Sequence, residues 1–125
     1  MIYHKNEYKV KFYQDDRGNI PIIEYLEKIG KKEKAKILTY IEFLKMNDGY
    51  LDEPYSKHIK GKIRELRVDF SKNKHRIFYF TFIKKTIILL HAFLKKTKKT
   101  PIKEIKKAKI HLEDVKNNPK LYLSR

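Results

Sequence analysis

The chain has 125 residues, no cysteine, and 31 Lys+Arg against 15 Asp+Glu, for a formal net charge of +16. These counts exclude disulfides and thiolate metal centres, and no stretch approaches the roughly 20 apolar residues that span a bilayer. An excess of positive charge this large concentrates polyanions at the surface, which makes nucleic acid the first partner to consider.

With 41% hydrophobic residues, including nine Tyr and seven Phe, there is enough apolar material for one core. A single domain over residues 1–125 is expected. The opening MIYHKNEYKV lacks the apolar run of a signal peptide, so the expectation is a cytoplasmic protein with no membrane attachment.

Residues 8–13 alternate apolar and basic side chains through Val10 and Phe12, the period of a half-buried strand. A turn over 15–19 follows, with Asn19 placed to cap a helix begun by Ile20 and Pro21, and Gly30 placed to end it. From 32 to about 46, Ile37, Tyr40, Ile41 and Leu44 follow helical spacing, and Asn47-Asp48-Gly49 stops the segment. Three strands are then expected over 62–70, 75–82 and 86–93, joined as a meander. In the first, Leu66, Val68 and Phe70 share one face while Glu65, Arg67 and Asp69 share the other. The last is apolar on both faces, which suits a central strand. After the basic loop 94–101, Thr100-Pro101 reads as a cap and first residue of a third helix running to about 116. Its stripe is Ile102, Ile105, Ala108 and Leu112. The order β-α-α-β-β-β-α predicts an α+β domain with helices on a mostly antiparallel four-stranded sheet.

Basic and titratable residues cluster at Lys57-His58-Ile59-Lys60, Arg64 to Arg67, His75-Arg76, and His91 with Lys95 and Lys96. The meander brings these segments side by side. Cleavage of RNA through its own 2′-OH needs a base, an acid for the leaving 5′ oxygen, and cations for the charge that builds on phosphorus. Arg, Lys and His supply all of these, and no metal or other cofactor is expected, the carboxylates being scattered among lysines.

Each residue also has a plainer reading. The run 95–99 is either a solvated loop or a phosphate contact, so Lys98 and Lys99 are assigned to RNA binding together with Lys57, Lys60 and Arg64. His91 is either a satisfied core histidine or a proton carrier, while His58 and His75 border loops and read first as surface histidines. Arg67 is either catalytic or paired with Asp69. Phe78, Tyr79 and Phe80 read as strand core. Alternation groups Arg76 with Phe78 and Phe80, although the first position of a strand can escape that pattern. Arg76 therefore either meets a phosphate at the sheet's rim or pairs with an acid on a neighbouring strand.

Glu65-Leu66-Arg67, the run His-Arg-Ile-Phe-Tyr-Phe at 75–80 and Leu-Leu-His-Ala-Phe-Leu-Lys-Lys-Thr-Lys-Lys-Thr-Pro at 89–101 resemble the RelE/ParE superfamily, in particular its phage-related HigB-like toxins. The resemblance extends over about residues 8–112. It implies the microbial RNase fold, with helices on one side of a curved sheet and a basic cleft on the other. It further implies ribosome-dependent cleavage of mRNA, and inhibition by a HigA-like helix-turn-helix antitoxin through which the complex binds operator DNA. By position, Arg76 resembles the arginine set against the scissile phosphate, and Lys96 the basic residue after the last strand. Arg67 and Lys95 are their neighbours in the same motifs, and His91 is the titratable candidate nearest neutral pH. RelE carries a tyrosine soon after its last strand, whereas this chain has Thr100-Pro101-Ile102, which leaves the base open. A gyrase-inhibiting toxin of the ParE kind and a non-enzymatic nucleic-acid binder are the alternatives.

Overall fold

The computed structural model describes residues 7–123. Residues 1–6, part of the stretch read for a signal peptide, lie outside them, as do 124–125 of the expected domain. The elements run β1 (Lys9–Phe12), α1 (Pro21–Glu27), α2 (Lys31–Met46), β2 (Ser56–Lys60), β3 (Ile63–Phe70), β4 (Asn73–Phe82), β5 (Thr86–Leu94) and α3 (Ile102–Asn117), with one 3-10 turn at Pro119–Leu121. The α+β class and the meander are as expected. The sheet, however, has five strands in the order β1-β5-β4-β3-β2, and β1 pairs in parallel with β5, so it is mixed. The strand missing from the four-stranded expectation is β2. Its Ser-Lys-His-Ile-Lys lacks apolar alternation because it is an edge strand, exposed at Lys57, His58 and Lys60.

The helices do not lie on one side. Ile22 and Leu26 of α1 and Ile37, Ile41 and Leu44 of α2 pack on Leu66, Val68, Ile77, Tyr79, Ile87 and Leu89. Ala108, Leu112 and Val115 of α3 pack on Phe78, Phe80, Ile88 and Leu90 from the other face. Two covered faces explain why β5 reads as apolar throughout.

Local signals were met unevenly. Asn47 caps α2, and Gly49, at φ +82, sits where a Cβ would come within 2.7 Å of Thr81 Oγ1, so only glycine fits. Asn19 does not cap α1: its side-chain amide donates to Asp15, and Ile20 holds the cap position without a side-chain bond. Gly30 is extended and starts α2 rather than ending α1, which stops at Lys28. Pro101, not Thr100, is the cap residue of α3, and Ile102 is exposed because the buried stripe begins a turn later, at Ile105.

Candidate functional site

Strand register sets the site. On the α3 face, Lys57, Glu65, Phe78 and His91 form one row across β2 to β5, and Arg67, Arg76 and Phe93 form the next. A bulge at Leu90 decides where His91 points. Pairing jumps from Tyr79 with Leu89 to Phe78 with His91, so Leu90 and His91 both face α3.

Glu65 is the centre. It is only 1% exposed, and its Oε1 lies 3.4 Å from Arg67 Nε, a charge contact rather than a hydrogen bond. Its Oε2, Arg67 Nε and Arg76 Nε are buried without hydrogen-bond partners. Unpaired buried polar atoms are costly and native proteins carry few, so three on adjacent strands make this the candidate place for a ligand. Burial pushes the Glu65 carboxyl up, opposed by the charges of Arg76, Arg67, Lys95 and Lys57. Lys95 shows the complementary effect. Burial lowers its ammonium against the pull of Glu65, and Arg76, Arg67 and Lys57 lower it further.

Arg76 obeys alternation and does not escape it, because β4 begins at Asn73 and position 76 is already inside the strand. It is 3% exposed, and its Nη1 donates to Asp69 at 2.7 Å and to the His75 carbonyl at 3.0 Å. The expected acid on a neighbouring strand is thus present, with Arg76 rather than Arg67 as its partner. Arg67, a quarter exposed, pairs with Glu65 instead.

His91 Nε2 hydrogen-bonds Glu104 at 2.6 Å, and its ring stacks on Phe93. Burial lowers its pKa below 6.5 despite Glu104. His75 is no surface residue: it is 1% exposed, on the opposite face, bonded to Tyr25 and Glu33. His58 is exposed and hydrogen-bonds the Gly61 carbonyl.

Lys57 belongs to the site's row, whereas Lys60 is exposed beyond it. Arg64 does not join them. It points to the α2 face, where Nε donates to Ser56 and to the Tyr79 hydroxyl and the guanidinium lies over Tyr50. Lys96, Lys98 and Lys99 are exposed, and Lys95, Lys96 and Lys98 join Lys72 and Lys74 around a depression of about 400 Å³. Among the described residues no group of three or more His, Cys, Asp or Glu is placed to hold a metal ion, and no helix is long and apolar enough to cross a membrane.

Residues 24–113 match the family described as Phage derived protein Gp49-like (DUF891). The chain belongs to this family. Gp49-like proteins form a toxin-like family associated with toxin–antitoxin systems. No curated protein matches the chain. The matched segment runs from α1 almost to the end of α3, so it includes every residue of the two rows.

Glu65 is the residue that sequence reading left out of the Gp49-like site. Its signal was a carboxylate inside a strand, flanked by Arg64 and Arg67, with Asp69 the second acid of that strand. Its face was legible from alternation, but its burial was not, because its neighbours Lys57, Phe78 and Lys95 come from segments distant in sequence.

Proposed function

We propose that this chain is the toxin of a type II toxin–antitoxin system of the RelE/HigB kind, cutting mRNA in the ribosomal A site. The observation that carries the reading is Glu65, a buried carboxylate with one free oxygen among Lys57, Arg67, Arg76 and Lys95. RNA brings its own nucleophile. As Arg67, the partly exposed partner of Glu65, turns to the phosphate, it uncovers the carboxylate. Glu65 then takes the 2′-OH proton, the 2′ oxygen attacks phosphorus, and the bond to the 5′ oxygen breaks, leaving a 2′,3′-cyclic phosphate and a 5′-OH. Arg67 and Arg76 stabilise the charge that grows on the phosphoryl oxygens, a task for which guanidinium forks are suited. Lys95, its ammonium made more acidic, protonates the departing 5′ oxygen.

His91 is held by Glu104 and orients the floor of the site beside Phe78 and Phe93. Lys57, Lys60, Lys96, Lys98 and Lys99 steer the RNA. A helix-turn-helix antitoxin holds the protein inactive in the cytoplasm, and the pair binds operator DNA through the antitoxin.

The test is induction of the chain followed by mapping of 5′-OH ends, with and without translation initiation. New ends confined to translated mRNA are expected. Intact mRNA with blocked supercoiling would replace this reading with the gyrase-directed one, and intact mRNA with normal supercoiling would leave a passive binder.

A further inference from the structure

β2 is shorter than β3. Its pairing stops at Ser56 opposite Leu66, and past the bond from Arg67 N to the Tyr55 carbonyl the edge of β3 is open. A depression of about 280 Å³ occupies this opening, beside the row that holds Arg67 and Arg76, which are two of its walls. Pro54, Tyr55, Asp69 and Lys74, with Lys36 and Tyr40 of α2, complete its lining.

Three features of this depression are unexplained by cleavage alone. Tyr55 is a large aromatic left half exposed, its ring held edge-on by Tyr40 with centroids 6.1 Å apart and planes at 66°. Asp69 is an acid on a protein of charge +16, with a side chain 60% exposed even though Oδ1 accepts from Arg76, so Oδ2 remains open to a ligand. Lys36 reaches across the edge and donates to the Asp69 carbonyl, which fixes the strand where Asp69 projects.

We propose that this depression is a nucleobase pocket. It seats the base next to the cleaved phosphate, stacked on Tyr55, with the base's exocyclic amino group donating to Asp69. A nucleic acid must unstack a base to be read on its edge, and an exposed aromatic face replaces the lost stacking. A carboxylate accepts hydrogen bonds and donates none when ionised, so it favours adenine, cytosine and guanine over uracil, which has no amino group. Asp69 is suited to remain ionised. Burial alone raises its carboxyl, but the hydrogen bond and charge of Arg76, with Lys74 and Arg67, hold it below the ordinary carboxylate value. Arg76 thus joins the two halves of the site, since it lines the phosphate row and holds the residue that reads the base.

The inference deepens the RNA-cleavage reading and rests on it for the substrate class. Its test is equilibrium binding, by fluorescence anisotropy, of fluorescein-labelled 2′-O-methyl trinucleotides that differ only in one base and cannot be cleaved. The full chain is used, at salt high enough to suppress phosphate binding. The A, C and G probes are expected to bind about tenfold more tightly than the U probe. Asp69→Asn removes that preference, Tyr55→Ala weakens all four probes by about tenfold, and Tyr55→Phe retains wild-type binding. Equal binding of the four probes to the wild-type protein overturns the pocket. So does undiminished binding by a folded Tyr55→Ala protein. Because the probes cannot be cut, base-selective binding without ribosomal cleavage refutes the reaction and keeps the pocket, whereas cleavage with indifferent binding refutes the pocket alone.

Discussion

Two polar clusters lie back to back on this sheet and are finished to different standards. On the α1/α2 face, His75 bonds Tyr25 and Glu33, Asn73 also donates to Glu33, and Ser56, Arg64 and Tyr79 share a network that ends at the Gly49 carbonyl. None of these side chains has a buried polar atom without a partner among the described residues. On the α3 face, Glu65, Arg67 and Arg76 each have one. A satisfied network rigidifies a core, while an unsatisfied one keeps hydrogen-bonding capacity that a ligand can use. The contrast separates Arg64, whose bonds are used within the fold, from Arg67 and Arg76, which each keep a nitrogen without a partner, although the three look alike in the sequence.

The sharpest way to break this comparison is Glu65→Gln. Ribosome-dependent cleavage should fall by about two to four orders of magnitude, the range for loss of a general base. Because burial raises the Glu65 carboxyl and only its ionised form accepts a proton, the acid limb of the wild-type cleavage profile should lie above 4.5 and vanish in the variant. If Glu65 only balanced charge, folded molecules of the variant would cleave at the wild-type rate.

Arg76→Ala comes next, with cleavage expected to drop by about two to three orders of magnitude and to recover only partly in Arg76→Lys. Asp69 is exposed enough to be rehydrated, so thermal unfolding should shift modestly. Wild-type cleavage by Arg76→Ala would reduce this arginine to its ion pair.

The opposite face should respond in the opposite way. His75→Ala strands the Tyr25 hydroxyl, whose own pKa burial and Glu33 push up to about 12, and should cost about 1–3 kcal/mol in urea unfolding with cleavage per folded molecule unchanged. Glu33 sharpens the same point through pH. Hydrogen bonds from Asn73 and His75 hold its carboxyl below 4.5, so its contribution is present above that value and is lost as pH falls through the lower folded value. Glu33→Gln should therefore be less stable than wild type at neutral pH and lose less on acidification, as urea midpoints on either side of 4.5 would show.

The smallest effect is expected in the loop. Removing Lys98 and Lys99 together should lower the salt slope of RNA binding by up to about 0.7 per lost phosphate contact, with little change in saturating cleavage rate.

The helices, the three-strand meander and the face on which Glu65, Arg67 and Arg76 lie were legible because periods of 3.6 and 2 are written directly into the order of residues. So was the family resemblance, at the coarse level of a toxin-like protein. Less was legible at the joints. Asn19, Gly30 and Thr100 are ordinary cap residues whose local alternatives prevailed, as the bond from Asn19 to Asp15 shows.

The amino-acid sequence by itself determined the composition of the site: a strongly cationic chain with two carboxylates, Glu65 and Asp69, beside the arginines of β3, a histidine in β5 and lysines just after it. Only the tertiary structure decided the arrangement. The parallel pairing of β1 and the placement of α3 on the second face depend on contacts distant in sequence. The bulge at Leu90 turns His91 toward Glu104, and the early end of β2 opens the edge beside Tyr55 and Asp69. His75 and Arg76 are adjacent in the chain, yet one is sealed in a satisfied network and the other borders an unsatisfied one. The reason is that strand neighbours point to opposite faces, and what covers each face is chosen by packing rather than by local sequence.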